Sequence, residues 1–266
     1  MTENRPILED RRICVFLNHK GGVSKTTSVA NIGARLAEKG YCVLLVDLDA
    51  QANLTSNFLQ NEEEAEWYIH EGFINPRKDI SITNIHENLY ILPSSLLTAT
   101  VESNILTKVE REKLLKKLLD KIVKNDIFDI ILVDCPPSLG EIAKNALVAA
   151  QTLIVPITAE AFPLIGFQML EDEIQIIKEG LNPTLEINKI LVTRYNKQSN
   201  LNKNITGYIQ ENYAGKVFET RIRNNIKVSE AQLRQKTIFE YAPDSPAAQD
   251  YAAVTEELLN YLTGEI

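Results

Sequence analysis

Asn18-His-Lys-Gly-Gly-Val-Ser-Lys-Thr-Thr27 lies between a short apolar segment, Ile13 to Leu17, and a helical pattern that starts near Thr26. Strand, glycine-rich turn and helix in that order are the setting a phosphate-binding loop needs. Gly21 and Gly22 let the backbone bend with its N–H groups facing inward. The following helix adds its own unpaired N–H groups and the positive end of its dipole. In such a loop Lys25 reaches the β- and γ-phosphates, and the Thr26 hydroxyl holds Mg²⁺. Lys20 is a second lysine at the front, where an ordinary P-loop needs no charge. The strict pattern G-x-x-x-x-G-K-S/T is broken twice, by His19 and by Ser24. Alone, the segment also reads as a lysine-bearing turn of an α/β protein, so the remainder of the chain has to decide.

The composition sets bounds. A chain of 266 residues with 44% hydrophobic and 24% charged residues is ordinary for one large soluble α/β domain, expected over 1–266 with a short N-terminal arm at 1–10. No apolar run approaches the roughly 20 residues that cross a bilayer, and the polar start shows no secretory signal. Cys14, Cys42 and Cys135 sit in apolar runs that read as strands. Their spacing fits neither a zinc site nor a disulfide framework, so buried thiols of a cytoplasmic protein are expected. The net charge of −8 argues against a wholly basic nucleic-acid binder. The charge is uneven, however. Ile187 to Glu240 holds ten Lys/Arg against four Glu, a local +6 that leaves −14 on the remainder. One basic face on an acidic body follows from that asymmetry.

Taken in order, Arg12 to Leu17 reads as the first strand and Thr26 to Lys39 as a helix stopped by Gly40. Tyr41 to Val46 is a continuous apolar strand of the kind buried at the centre of a parallel sheet. It delivers Asp47 and Asp49 to its carboxyl end, where α/β sheets bind ligands. Ala50 to Ser56 is a polar loop entering a short helix. Asn61 to Pro76, with four glutamates between 62 and 66, reads as a solvated surface excursion. Leu89 to Leu92 is a strand, and Ile105 to Val123 reads as one amphipathic helix with a wet lysine face. Ile127 to Val133 is again an apolar strand, ending in Asp134-Cys-Pro-Pro-Ser-Leu-Gly140. Asp134 stands where a Mg²⁺-organising carboxylate would. Helix (141–150), strand (152–156), a helix opened by Pro163 and running to about Gly180, and strand (187–192) follow. A helix from about Leu201 to Tyr213, a basic stretch from Lys216 to Lys236 and a helix from Pro246 to Leu262 complete the chain. This alternation predicts a doubly wound, mostly parallel sheet with helices on both faces.

Taken together, these motifs resemble the ParA/MinD group of deviant Walker A (SIMIBI) ATPases, most closely the ParA/Soj partition branch. The resemblance covers nearly the whole chain. Lys20-Gly-Gly-Val-Ser-Lys-Thr-Thr27 is similar to the family's signature-lysine P-loop, Val46-Asp-Leu-Asp-Ala-Gln-Ala-Asn53 to its switch I, and Leu132-Val-Asp-Cys-Pro-Pro-Ser138 to its second switch. Thr193-Arg-Tyr-Asn196 and Ile222 to Ala231 resemble its adenine-side and DNA-side segments. The resemblance implies an ATP-dependent homodimer with ATP and Mg²⁺ as cofactors. Lys20, Gly21, Gly22, Val23, Ser24, Lys25, Thr26, Thr27, Asp47, Arg194, Asn196 and Ile222 would surround the nucleotide. Lys20 would cross to the partner copy's nucleotide, and Thr26, Asp49 and Asp134 would organise the metal. Lys20, Lys25 and Asp49 would carry the chemistry, with Asp49 orienting the attacking water. These roles suit phosphoryl transfer, which depends mainly on positioning and charge neutralisation. Three departures stand out: Ser24 where the family has glycine, Ala50 where proline is common, and Arg223 where many relatives carry proline.

Each signal also has a plainer reading. Asp47 and Asp49 would cap the next helix, as strand-end aspartates often do. His19 is a loop residue that tunes phosphate or dimer contacts, because the reaction needs no histidine. The basic residues Lys197, Lys203, Arg221, Arg223, Lys227, Arg234 and Lys236 would be a solvated surface. With the resemblance, all of these but Lys236 become candidates for non-specific, salt-dependent contact with DNA phosphates. The function implied is DNA partitioning. ATP-bound dimers would coat nucleoid DNA in the cytoplasm, and a ParB-like or other cargo adaptor would trigger hydrolysis and release. A MinD-like membrane-surface ATPase is the first alternative, although the tail Glu256 to Ile266 is acidic rather than basic. ParA-like positioning of a protein cargo is another. An electron-transfer ATPase would need a cysteine pair that Cys135 alone does not supply. A nucleotide-binding scaffold without turnover is the last.

Overall fold

The computed structural model describes residues 12–61, 64–159 and 164–265. The arm expected at 1–10 and the helix-opening Pro163 lie outside them. Among the described residues seven strands form one sheet: β1 (Ile13–Phe16), β2 (Val43–Asp47), β3 (Thr83–His86), β4 (Leu89–Leu92), β5 (Ile130–Asp134), β6 (Thr152–Thr158) and β7 (Ile187–Thr193). Their order is β3-β4-β2-β5-β1-β6-β7, parallel throughout except for β3, which pairs antiparallel with β4. The chain leaves β1 towards one edge through β2 and later fills the other edge through β6 and β7. The loop after β1 therefore stands where the winding reverses, the crevice in which open α/β sheets hold ligands.

Alternation along the strands explains the two layers of helices. Ile13, Val15, Leu44, Val46, Ile131 and Val133 face one buried cluster; Cys14, Phe16, Val43, Leu45, Ile130 and Leu132 face another. The first cluster is covered by α3 (Ile69–Ile74), α4 (Val101–Ile105), α5 (Leu114–Val123), α6 (Glu141–Ala149) and α7 (Leu164–Gly180). The second is covered by α1 (Lys25–Glu38) and α11 (Pro246–Thr263), with α2 (Asn53–Phe58), α9 (Ile226–Leu233) and α10 (Ile238–Tyr241) contributing. α8 (Asn200–Asn212) lies beyond β7, with Ile209 buried in the first cluster. α1 ends as expected, with Gly40 at φ 89°.

Several expectations need correction. The single helix expected over Ile105–Val123 is two pieces. After α4 the chain turns, Glu110 adopts a left-handed φ of 53°, a 3-10 turn spans Arg111–Lys113, and α5 starts at Leu114. Leu106 and Val109, assigned to the apolar face, are exposed. The reason is a phase slip: Val109 and Leu114 are five residues apart, a step that does not stay on one helical face. The excursion at Asn61–Pro76 is not wholly solvated either. Glu64 and Glu66 are exposed, but Trp67, Ile69 and Phe73 are at most 1% exposed and anchor α3 in the core. The strand β3 and the helices α9 and α10 were not expected at all.

Candidate active site

β1, β2 and β5 end side by side, and their ends carry the chemistry. In the β2–β5 register Asp47 lies beside Asp134, and both are fully buried. Between β1 and α1 the loop is shaped by two left-handed residues, Gly22 (φ 74°) and Ser24 (φ 66°, ψ 29°). Ser24 therefore holds an angle that glycine takes freely and a side chain resists, at about 1–2 kcal/mol. Its carbonyl accepts the Ser28 N–H at 2.9 Å and so starts α1. The Asn18 side chain closes the loop's base, donating to the Pro156 carbonyl and accepting from Lys20 N–H. Thr193 Oγ1 shares its proton between the Ile157 carbonyl (3.0 Å) and the Val23 carbonyl (3.2 Å), bringing the loop against β7.

Lys25 is buried, and its Nζ donates to the carbonyls of Asn18 (3.0 Å) and Lys20 (3.2 Å). Burial pulls its pKa down, opposed by Asp134 and Asp49. Thr26 Oγ1 donates to Asp134 Oδ2 at 2.6 Å. Asp134 Oδ1 is buried with no hydrogen-bond partner among the described residues. Burial, with Asp47 as a second cause, raises the Asp134 pKa well above the carboxylate range. A hydroxyl and a bare, buried carboxylate oxygen side by side are a hard-oxygen donor set that suits Mg²⁺.

Asp47 is occupied differently. Its Oδ2 accepts from Thr55 N–H (2.9 Å) and Thr55 Oγ1 (2.8 Å), and its Oδ1 accepts from Asp49 N–H (3.0 Å). Burial raises its pKa to about 6 against these hydrogen bonds. Asp47 thus holds the loop that presents Asp49. Asp49 is half-buried, and its Oδ1 accepts from Gln51 N–H.

A cavity of about 900 Å³ opens at these strand ends. Gly21, Gly22, Val23, Ser24, Lys25, Thr26, Thr27 and Asp49 line one side, and Arg194, Ile222, Arg223 and Gln232 line the other. Of the expected nucleotide contacts, Lys20, Asp47 and Asn196 are not in the lining. Lys20 sits half-buried at the front of the loop. Asn196 is turned to its own segment, with Oδ1 accepting from Gln198 N–H. Arg194 is exposed at a left-handed φ of 51°. His19 packs on α7: a Cβ on Gly166 would collide with its ring. Burial, then Lys25 and Lys20, lower its pKa.

The basic candidates divide. Arg223 is committed internally, with its guanidinium bidentate on Asp250 (2.7–3.1 Å) and donating to the Pro246 carbonyl. Arg221 lies over the Tyr195 ring, while Lys227 and Arg234 lie over Tyr241. Lys227 also pairs with Glu230. Lys197 and Lys203 are exposed on the α8 side. The sequence reading missed Gln232, whose Nε2 donates to Thr27 Oγ1 at 2.7 Å and joins α9 to the phosphate loop. A signal was present: Asn225 caps α9 by accepting from Lys227 N–H, an Asn at a helix start.

The chain resembles known proteins in sequence and in fold. An AAA domain family matches residues 11–187. The sporulation initiation inhibitor protein Soj of Bacillus subtilis is 33% identical over 249 residues, covering 93% of this chain and 98% of Soj. The chain belongs to the ParA/Soj family of partition ATPases. Another member, the chromosome-partitioning ATPase Soj of Thermus thermophilus, is 36% identical over 94% of this chain and 95% of its own. Among solved structures, cobyrinic acid a,c-diamide synthase from Mycobacterium smegmatis, with bound ATP analogue and magnesium, superimposes with a TM-score of 0.81. It is 29% identical and covers 96% of this chain and 97% of its own. A plasmid partition protein from Borrelia burgdorferi, bound to AMPPNP, gives a TM-score of 0.80 at 25% identity, over 94% and 99% of the two chains.

Proposed function

We propose that this chain is a DNA-partitioning ATPase that dimerises on ATP, binds DNA non-specifically as the dimer, and lets go when an adaptor protein stimulates hydrolysis. The observation that carries the reading is the Thr26–Asp134 contact beneath the glycine turn, with one Asp134 oxygen bare. Bound Mg²⁺ there would neutralise charge on the β- and γ-phosphates. Lys25 releases the Asn18 and Lys20 carbonyls and turns to the phosphates. The N–H groups of Gly21 to Thr26 cradle them. Asp49 orients water, held at the right place by Asp47. Lys20, at the front of the loop, reaches the nucleotide of a second copy, which makes turnover depend on dimerisation and keeps it weak without adaptor and DNA. Arg221, Lys227 and Arg234 supply the DNA face, so the active form is nucleoid-associated.

The fold also bears on the membrane alternative. The large apolar side chains of α11, among them Leu258, Leu259 and Leu262, are buried in the core, so that helix does not present them to lipid. Among the described residues no helix is long and apolar enough to cross a membrane. The deciding experiment is DNA retardation with ADP, ATP and a non-hydrolysable analogue, on wild type and Lys20→Ala. Shifts are expected only with the triphosphates and only in the wild type. A shift that ignores the nucleotide would overturn the reading.

A further inference from the structure

We propose that Thr55, Ser94 and Thr98 are positioning residues for hydrolysis, a buried hydroxyl chain that sets the Asp47 carboxylate and through it the backbone of Asp49. The proposal rests on Asp49 as the water-orienting residue of the function proposed above. All four groups of the chain are buried: Asp47 and Thr98 are 0% exposed, Ser94 1% and Thr55 8%. Thr55 Oγ1 donates its single proton to Asp47 Oδ2 at 2.8 Å and accepts Ser94 N–H at 2.9 Å. Ser94 Oγ donates to Thr98 Oγ1 at 2.9 Å. A hydroxyl has one proton to give, so Thr55, which accepts the Ser94 N–H, gives its own proton to Asp47. At the other end, Asp47 Oδ1 receives Asp49 N–H at 3.0 Å.

The chain has work to do because Asp47 does not line the cavity, yet it is an ionisable group buried at the switch. A lone buried carboxylate would turn to whichever donor it found. Here Thr55 claims one oxygen twice, which leaves the other for the Asp49 amide. Thr55 cannot rotate without leaving the buried Ser94 N–H unpaired, at about 1–3 kcal/mol. Ser94 is held in turn by Thr98, inside the 3-10 turn Leu96–Thr100. That turn carries Leu96 and Leu97 into solvent, at 75% and 57% exposure. A second, smaller cavity of about 170 Å³ lies beside it, lined by Gln51, Thr55, Ser56, Ser94, Ser95 and Leu96. The switch loop is thus tied to a turn whose Leu96 and Leu97 reach the surface.

The test compares wild type, Thr55→Val, Thr55→Ser and Thr98→Val by steady-state ATP hydrolysis with DNA present. Affinity for a non-hydrolysable ATP analogue is measured alongside by calorimetry. Thr55→Val should lower kcat about ten-fold, less than the roughly 10²-fold that a 1 Å misplacement at the reacting centre can cost. KM and analogue affinity should stay within about two-fold, because the chain acts on the reacting geometry and not on ground-state binding. Thr55→Ser restores the hydroxyl and should return kcat to near wild type. Thr98→Val, two bonds away, should show the same split with a loss of about three-fold. If Thr55→Val does not fold, Thr98→Val decides alone. Folded variants that keep the wild-type kcat, or that lose kcat and analogue affinity together, would overturn the proposal. A wild type without turnover would overturn the ATPase reading itself, and this inference with it.

Discussion

Ser24 and Asp47 show how single positions bear the strain of this site. Ser24 holds the left-handed backbone angle that glycine adopts freely. Ser24→Gly should therefore stabilise the protein by about 1 kcal/mol, read as a higher urea midpoint with an unchanged slope. An equal or lower midpoint would show that the serine hydroxyl compensates for the strain. Asp47 carries a different load. Its folded pKa of about 6 lies above the ordinary aspartate value of 3.8. The folded state thus holds a proton that the unfolded state releases. Asp47's contribution to stability is fully present below the ordinary value and is lost as pH rises through about 6. The stability difference between wild type and Asp47→Asn should shift by about 1 kcal/mol in favour of wild type between about pH 7 and about pH 5.5, measured by denaturant titration. A difference flat across that range would mean the carboxylate is not strained. Both positions stood out in the sequence by type and place. Their angles and proton affinities did not, because those depend on what the neighbouring strands bring up against them.

At the scale of elements, α9 changes how the basic stretch is understood. The sequence showed a run of positive charge between Lys216 and Lys236, but not which charges are spent inside the fold. Arg223 is spent on Asp250 of α11, whereas Arg221, Lys227 and Arg234 lie over aromatic rings near the surface. With an ATP analogue bound, removing Arg221, Lys227 or Arg234 should each reduce the slope of log affinity for DNA against log salt by about one. Arg223→Ala should leave that slope unchanged and lower thermal stability instead. Anisotropy titrations on labelled duplex across a salt series distinguish the two classes. A reduced slope in Arg223→Ala would show that its ion pair opens to take a phosphate. The break between α4 and α5 was legible in retrospect, since the five-residue step from Val109 to Leu114 is visible in the apolar spacing. The strand β3 was not. Its residues Thr83 to His86 alternate between intermediate and exposed burial and hold place by pairing with β4 at the sheet edge.

Across the whole molecule, the central strands were the most readable feature. Buried parallel strands are apolar on both faces, so they appear as unbroken runs, and each run ended in the residues that mattered. What no run could show is how segments far apart in the chain meet. α11 packs on α1, with Tyr251 OH within 3.4 Å of Ser28 Oγ and Lys39 paired to Glu256 at 2.7 Å. The helix that begins at the phosphate loop thus leans on one that the ribosome makes much later. A nascent chain whose residues beyond about Asp244 are still in the exit tunnel lacks one wall of the core beneath α1. Until translation has delivered α11, the growing polypeptide has the glycine turn and α1 but lacks the helix that α1 packs against, so this side of the core closes last.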